Sequence, residues 1–323
     1  MKANRLNVLI LVGCITAITA CTRSNEFKRD QEFYKPENPS YYDRQANKSA
    51  TQALEVSAQP KKRVLVLNFW NDTPVRAPLV GGFAAEELRR NLAASQRVII
   101  QKDSRDGMNT EDYISGERVK VSQLIREGRR LGLSVIIIGR ITKIVFRQKG
   151  DEIGVFRQKQ SRAAASIELK VFDVSAGREV AALGRSAEAV SNASVTVEDE
   201  NLESQEFREE MAKLAIRNAV ASITPDIFKT VEKMIWQGRV AKIVGNKFYV
   251  NAGRNAGLLS GDILKVLTAG DEVYDPQTGA YLGRAPGQLK GTLEIVDFIG
   301  ADGAVAEIHT GGNFAEGDVV QLY

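Results

Sequence analysis

A run of β-branched residues in the middle of the chain constrains the fold more than any other stretch. Residues 134–139, Ser-Val-Ile-Ile-Ile-Gly, are apolar on both faces, and such a strand lies inside a sheet that is covered on both sides. Further on, residues 166–174 alternate apolar and polar side chains, as a strand with one solvent-exposed face does. The sequence Ser-Ala-Gly-Arg at 175–178 predicts a turn that returns the chain as a third strand over 179–183. We therefore expect three consecutive strands organised around a buried central one.

The segments before this central strand predict alternating strands and helices. Residues 64–69 read as another strand that is apolar on both faces, and residues 98–100 as a short one. Helices are expected over 79–92 and over 122–131, and Gly132 can end the second of them with a positive φ angle. This order predicts a mainly parallel or mixed sheet with helices on its faces.

A long amphipathic tract, residues 204–236, follows the sheet. Its apolar residues form one broad face, and its charged residues lie mostly on the other. Pro225 lies inside the tract and permits either a break or a new helix start at Thr224. We interpret the apolar face as core rather than as a cofactor site.

From Gly238 the composition changes to short strands and frequent glycines, which is typical of a small barrel. Gly245-Asn246 is a two-residue hairpin signal, and the pair Gly261-Asp262 is repeated as Gly317-Asp318, each pair reading as a turn before a strand. Residues 275–279 predict a further turn, and residues 291–297 and 303–308 alternate as strands. The predicted class is therefore α+β or α/β, with a mixed sheet and facing helices over 61–236 and an all-β barrel over 238–323.

The N-terminus predicts an address outside the cytoplasm. Residues 1–20 have the basic start and short apolar core of a secretory signal, and Ile-Thr-Ala-Cys at 18–21 resembles the bacterial lipobox, so Cys21 is the expected lipidation site. By the sorting rule that this resemblance carries, Thr22 favours the periplasmic face of the outer membrane. Residues 21–60 are polar and proline-containing, which indicates a flexible tether. Its tyrosines could instead dock on a partner: Tyr34, Tyr41 and Tyr42.

The composition argues against catalysis and against metal or cofactor chemistry. The chain has one histidine, His309, and two cysteines, Cys14 and Cys21, which excludes most His/Cys metal sites. No glycine-rich phosphate loop follows a strand, and His309 reads as a packed or rim residue rather than a base. The net charge of +4 is small and intermixed, so no nucleic-acid partner is expected. We predict a non-enzymatic protein without a cofactor.

Two sets of residues resemble known families. The lipobox, the strand at 64–69, the segment Leu-Gly-Leu-Ser-Val-Ile-Ile-Ile-Gly-Arg at 131–140 and the segment at 167–180 resemble the CsgG family of curli-secretion lipoproteins. The α/β core of that family is similar to the TolB N-terminal domain. Residues 250–257, Gly261-Asp262 and residues 274–283 are similar to the C-terminal domain of the flagellar ring protein FlgT. These resemblances imply an oligomeric ring protein of the bacterial envelope.

In curli channels, hairpins of the chain enter the outer membrane, and the matching segments here can be tested by charge. The segment Arg147 to Arg162 carries seven charges in sixteen residues, and a lipid-facing Arg or Lys costs about 2–4 kcal/mol at the bilayer midplane. The second matching segment, 184–210, is strongly acidic towards its end. We therefore predict a soluble hairpin arm with Gly150 and Gly154 near its tip. The arm is expected either to contact a partner or to be merely solvated.

Several residues are candidates for contact with a partner. They lie on the predicted arm and on one turn of the β module: Phe146, Arg147, Lys149, Phe156, Arg157, Lys159 and Tyr274. The leading hypothesis is a lipid-anchored, non-catalytic component of an envelope assembly, curli-like or flagellar, that forms homo-oligomeric rings and contacts other assembly proteins. A pore-forming outer-membrane secretion channel is the alternative, and an envelope enzyme is the weakest reading.

Overall fold

A computed structural model describes residues 59–73, 80–101, 110–115, 118–150, 159–191 and 204–323. The predicted signal peptide, Cys21 and the predicted tether up to residue 58 lie outside these residues, as do Phe156 and Arg157. The first part of the described chain contains, in order, β1 (Lys62–Val66), β2 (Trp70–Asn71), α1 (Val80–Ala94), β3 (Val98–Ile100), α2 (Thr110–Tyr113), β4 (Ile114–Ser115), β5 (Arg118–Val119), α3 (Val121–Arg130), β6 (Val135–Gly150), β7 (Lys159–Asp173), β8 (Arg178–Ser191) and α4 (Gln205–Glu232).

These elements form a mixed sheet, as predicted. The strand order is β3-β1-β6-β7-β8, with β2 pairing to β6 further along. Strand β1 is parallel to β3 and β6, whereas β6, β7 and β8 are antiparallel neighbours. Gly177 at the turn between β7 and β8 has φ +69°, and Gly132 after α3 has φ +68°. Both predicted glycine turns are therefore confirmed.

The central strand is buried on both faces because helices cover both sides of the sheet. Val135 and Ile137 of β6 pack into a core shared with α1 and α4. Ile136 and Ile138 pack into a second core shared with α3. All four side chains are almost inaccessible to water, which is the state that the β-branched run predicts.

Helix α4 runs through Pro225 without a break, which differs from the break or restart that the sequence allowed. Proline removes the hydrogen bond that its own N–H would donate to the carbonyl of Ala221. Both Pro225 and Ala221 are on the exposed side of α4, where water can satisfy that carbonyl. Thr224 remains inside the helix and donates from Oγ1 to the Val220 carbonyl at 2.7 Å.

The second part of the chain is a closed six-stranded barrel. Its strand order is β10-β15-β14-β11-β16-β9, and a separate two-stranded hairpin, β12–β13, stands outside it. The elements are β9 (Gly238–Val244), β10 (Lys247–Val250), a 3₁₀ turn (Arg254–Ala256), β11 (Ile263–Leu267), β12 (Glu272–Tyr274), β13 (Tyr281–Arg284), β14 (Leu289–Ile299), β15 (Gly303–Gly311) and β16 (Val319–Leu322).

The two Gly-Asp pairs make the same turn twice. Gly261 and Gly317 have φ +92° and +93°, a conformation that glycine adopts without steric cost. The carboxylate of Asp262 accepts from the Leu259 N–H at 2.8 Å, and that of Asp318 accepts from the Ala315 N–H at 2.7 Å. The strands that follow, β11 and β16, pair with each other in the barrel. The predicted turns are thus confirmed, and they lead into two neighbouring strands of the barrel.

The barrel is joined to the α/β part by direct contacts. The Lys61 N–H donates to the Ala256 carbonyl at 2.7 Å, and the Arg284 N–H donates to the Ala176 carbonyl at 3.3 Å. Trp236, which the sequence assigned to the first domain, is buried in the core of the barrel. The two parts therefore meet over several elements rather than through one linker.

Candidate functional site

Beyond the point where β1 and β2 stop pairing, three strands continue as an extension of the sheet. We define the arm as residues 142–150 of β6, 159–166 of β7 and 186–191 of β8. The β6–β7 register runs without interruption from Lys143, opposite Ser166, to Gly150, opposite Lys159. Both described ends of the predicted hairpin arm are therefore strand.

The two faces of the arm differ in burial and polarity. Ile144, Ala163 and Ala165 are buried, and they belong to the same core as Met211 and Ala212 of α4. The opposite face is polar: it carries the Arg162–Glu188 ion pair at 4.0 Å and the hydrogen bond between the Ser166 and Ser186 hydroxyls at 2.8 Å. Helix α4 thus covers one face of the arm, and the charged side chains lie on the other.

Both outer edges of the arm are unpaired in the part of the chain that the structure describes. Strand β2 pairs with β6 only at Arg140 and Ile141, so residues 142–150 have no described strand beside them. On the other side, β8 is the last strand of the sheet. The Asn218 side chain of α4 donates to the Glu188 carbonyl at 2.9 Å, which shows that this carbonyl faces away from β7.

The structure places the predicted contact residues of the arm in different environments. Phe146 packs against the core shared with α4, so it is partly committed to the fold. Arg147 is exposed and lies directly opposite Arg162 in the strand register. Lys149 and Lys159 lie on the described strands, but their side chains are outside the described set. Of these residues, Arg147 is the one that the structure places on the exposed face.

Tyr274 lies on the hairpin β12–β13, which folds back towards α3. Its hydroxyl donates to a carboxylate oxygen of Glu272 at 2.7 Å, and this hydrogen bond raises the pKa of Tyr274. Its ring meets that of Tyr281 edge to face, with centroids 5.3 Å apart. The other partner of Glu272 is Arg126 of α3, at 4.0 Å. Tyr274 is therefore half exposed and belongs to an internal aromatic and ionic contact.

A cleft of about 860 Å³ opens where the end of the sheet, the end of α4 and the barrel meet. It is lined by the last turn of α3, the β7–β8 turn, the chain around residues 229–239, and the loops at 267–270 and 284–287. We call it the basic cleft because cations dominate its charged lining. These are Arg129, Arg178, Lys229, Lys233, Arg239 and Arg284, against Asp173 as the one carboxylate in the lining.

The fold holds three of the four arginines of the basic cleft through backbone carbonyls. Arg239 donates from Nη2 to the Arg129 carbonyl at 2.5 Å, and Arg284 donates to the carbonyl of Gly270. Arg129 itself lies against the Val174 carbonyl, with Nε at 3.5 Å. Burial lowers the pKa of Arg129, and nearby Tyr281 and Glu272 oppose that shift. Neutral partners position these side chains without cancelling their charge.

The structure also places the single histidine and the acidic side chains that the sequence considered as site residues. Among the described residues, no group of three or more His, Cys, Asp and Glu side chains is placed to hold a metal ion. The Nδ1 atom of His309 is 3.1 Å from the Thr292 hydroxyl on the barrel surface. No helix within the described ranges is both long and apolar enough to cross a membrane.

Comparison with known proteins gives similarities to solved structures at low sequence identity. No protein-family model matches the chain, and no curated protein sequence does. A hypothetical protein from Chlamydia trachomatis is 17% identical over 53% of this chain and 98% of its own, with a TM-score of 0.35. A lipoprotein from Neisseria meningitidis is 14% identical over 52% and 99%, with a TM-score of 0.30. A PelC dodecamer from Paraburkholderia phytofirmans is 16% identical over 52% and 88%, with a TM-score of 0.29. The resemblance to the CsgG family and to FlgT stays a prediction.

The basic cleft was not found from the sequence. Its six cations are spread from residue 129 to residue 284 and lie on different elements, so no local charge run marks them. A charge run would have been a sequence signal, but here the topology brings single cations together. Lys229, in the last turn of α4, and Lys233, just after its end, are four residues apart and form the one local cluster among these cations.

Proposed function

We propose that this protein is a lipid-anchored, non-catalytic component of a bacterial envelope assembly that associates with copies of itself through the arm. The observation that carries the proposal is that two edges on opposite sides of the arm, residues 142–150 and β8, have no described strand beside them. On the β8 edge the Glu188 carbonyl already accepts from Asn218, so the other outward groups are the ones on offer. Exposed strand edges offer rows of N–H and C=O groups to another chain. The lipid anchor at Cys21 and the periplasmic face of the outer membrane are part of the same proposal and rest on the signal sequence.

Two different edges on one arm favour head-to-tail association. If the β6 edge of one copy meets the β8 edge of the next, the contact is heterologous. Its repetition closes a ring where the rotation between copies divides a full turn, and makes an open filament where it does not. A symmetric contact between two β8 edges would instead produce a dimer and leave the β6 edges open. Helix α4 packs on one face of the arm, and the two edges lie on opposite sides of its three strands. A ring of this kind fits either a curli-like or a flagellar role.

Cross-linking between single-cysteine variants tests the arrangement. Cys21 carries lipid in the proposed mature protein, so an introduced cysteine supplies the reactive thiol. Lys143→Cys lies on the β6 edge, Glu188→Cys on β8, and both positions are exposed. Glu307→Cys on the exposed surface of β15 serves as the matched control. The purified lipoproteins are treated with a short bis-maleimide, first singly and then as mixed pairs.

Head-to-tail association predicts dimers in the mixture of Lys143→Cys and Glu188→Cys, and far fewer in either variant alone. Dimers from Glu188→Cys alone would instead establish a symmetric contact and refute the ring. Equal yields in mixtures that contain Glu307→Cys would show random encounter, which also refutes it. A protein that stays monomeric throughout would remove the basis of the proposed function.

A pair of proline variants separates association from folding. Because the Glu188 carbonyl faces outward, the N–H groups two residues away on either side also face outward in an antiparallel ladder. Val190→Pro therefore removes an outward N–H group, whereas Ala189→Pro removes one that faces β7. We expect Val190→Pro to abolish cross-linking with little loss of stability, and Ala189→Pro to lower the unfolding midpoint. The reverse pattern would contradict the assigned edge.

A further inference from the structure

The cations of the basic cleft are mostly without anionic partners. Arg129, Arg178, Lys233, Arg239 and Arg284 make no ion pair with a carboxylate in the described ranges of the chain. Lys229 is the exception, with an exposed contact to Asp226 at 3.6 Å. A cleft with low-dielectric walls and one sign of charge concentrates anions from solution. We propose that the basic cleft binds a phosphate-bearing ligand with at least two anionic groups.

The single carboxylate of the lining does not neutralise these cations. Oδ1 of Asp173 accepts hydrogen bonds from the Ser175 N–H at 2.8 Å, the Ser175 hydroxyl at 2.6 Å and the Ala176 N–H at 3.0 Å. These bonds hold the β7–β8 turn in place. Asp173 makes no ion pair with a cation of the cleft among the described residues, so the positive charge of the lining is left for a ligand to balance.

Stabilisation of a helix C-terminus by positive charge accounts for some of these cations but not for all of them. Lys229 and Lys233 lie at the C-terminal end of α4, and Arg239 donates to the end of α3, where positive charge is favourable. Arg178 lies at the start of β8, and its side chain makes no hydrogen bond within the described residues. Arg284 is on a strand of the β12–β13 hairpin, away from both helix ends, and donates to the Gly270 carbonyl. A structural role at a helix end therefore leaves Arg178 and Arg284 unexplained.

The size and the donor types of the cleft indicate the ligand class. A volume of about 860 Å³ falls within the range of small-molecule sites. Four of the six cations are arginines, whose planar guanidinium groups bind phosphate oxygens through paired hydrogen bonds. A single carboxylate would balance one of the unpaired charges, whereas a diphosphate presents several. The phosphate could belong to a soluble molecule or to a lipid headgroup.

Titration with inorganic pyrophosphate tests the site. The full lipoprotein in detergent is titrated by calorimetry at low ionic strength, beside the double variant Arg178→Gln/Lys233→Gln. Both residues are exposed and have no described partner, so their loss leaves the fold intact. The matched control is Arg208→Gln/Lys247→Gln, which removes two exposed cations outside the cleft and has the same net charge.

We expect saturable binding with one pyrophosphate per chain and a loss of affinity of about tenfold or more in the cleft variant, since the loss of even one charged hydrogen bond weakens binding about tenfold. The control variant should bind within about twofold of the unmodified protein. Absence of saturable binding up to about 10 mM would overturn the proposal. Equal weakening in both variants would also overturn it, because it would show attraction to the whole surface.

A vesicle experiment distinguishes the two sources of phosphate. Cys21→Ser protein, which lacks the acyl anchor, is sedimented with vesicles of phosphatidylcholine and cardiolipin, whose headgroup carries two anionic phosphodiesters, and with vesicles of phosphatidylcholine alone. Binding to the anionic vesicles that pyrophosphate displaces would assign the cleft to a lipid headgroup. Pyrophosphate binding without vesicle binding would assign it to a soluble phosphate. Vesicle binding that survives Arg178→Gln/Lys233→Gln and excess pyrophosphate would exclude the cleft as the lipid site. Because neither readout depends on the arm, failure here would leave the proposed self-association untouched.

Discussion

The Arg239 guanidinium, on the first strand of the barrel, donates from Nη2 to the backbone carbonyl of Arg129 at 2.5 Å, in the last turn of α3. The bond joins residues 110 positions apart and lies at the junction of the barrel and the α/β part. The same carbonyl accepts from the Gly132 N–H at 2.9 Å. A positive charge at a helix C-terminus is favourable because the helix dipole is negative there. This contact therefore stabilises the junction between the barrel and the α/β part at the C-terminal end of α3.

Arg239→Leu should therefore weaken the junction. The variant keeps an apolar stem in place but loses a charged hydrogen bond, and we expect a decrease of about 1–2 kcal/mol in the free energy of unfolding. Urea unfolding followed by tryptophan fluorescence measures it, since Trp236 lies in the barrel core. Lys247→Leu, at an exposed hairpin, is the control and should stay within about 0.5 kcal/mol of the parent. An Arg239→Leu midpoint equal to that of the control would show that the bond contributes nothing.

Two adjacent glycines of α1 are expected to respond to alanine in opposite ways. A Cβ on Gly81 would lie 2.1 Å from the Phe69 carbonyl oxygen, whereas a Cβ on Gly82 would meet nothing within 4 Å. Gly81 also accepts from the Phe69 N–H at 3.2 Å, so the helix cannot move away cheaply. Gly81→Ala should cost about 1–3 kcal/mol, and Gly82→Ala should stabilise by about 0.5 kcal/mol. Thermal unfolding of the two variants decides the matter, and equal shifts would refute the close approach.

The repeated Gly-Asp turns offer a second matched pair. Asp318 is buried and accepts from the Lys290 ammonium at 2.8 and 2.7 Å, whereas Asp262 makes the same turn without an ion pair in the described chain. Asp262→Ala removes an acceptor for one N–H group and should cost about 1 kcal/mol. Asp318→Ala also leaves Lys290 without its partner and should cost about 3–5 kcal/mol. In Lys290→Met/Asp318→Ala much of the additional loss should return. Urea denaturation of the three variants checks this, and equal costs for the two aspartates would contradict it.

The regular parts of the fold were predictable because each is coded locally. The β-branched run at 134–139 predicted a strand buried on both faces, and helices cover it on both sides. The glycine turns followed from positive φ angles at single positions, such as Gly177 and Gly261. Strand length was less predictable: β8 continues to Ser191 because Ala189 is buried in the core shared with α4. That contact is tertiary and leaves no local signal.

The two candidate sites, the arm and the basic cleft, also differ in how far the local sequence predicted them. The hairpin at 147–162 was predicted from its charges and glycines, and the structure describes β6 up to Gly150 and β7 from Lys159. The β8 part of the arm, residues 186–191, was not predicted. The basic cleft was not predicted, because Arg129, Arg239 and Arg284 come together through the docking of the barrel on the sheet. Residues on separate elements carry no shared periodicity, so their convergence becomes visible once the chain is folded.

The buried ammonium of Lys62 should give stability a specific dependence on pH. Burial lowers the pKa of Lys62 from its ordinary value of 10.5, while the charges of Glu232 and Asp173 oppose that shift. The unfolded chain therefore holds this proton up to a higher pH than the folded chain does. Stability consequently rises with pH between the folded pKa and 10.5, and the full cost of burying the charge applies below that window.

Lys62→Met avoids the cost and should be more stable than the parent at neutral pH, by on the order of 1 kcal/mol. Its advantage should shrink as pH rises towards 10.5, and the titration of all other groups cancels in the difference between the two proteins. Urea denaturation of both proteins at several pH values measures that difference in stability. A stability advantage of Lys62→Met that stayed constant or grew with pH would show that burial does not disfavour the charged form of Lys62.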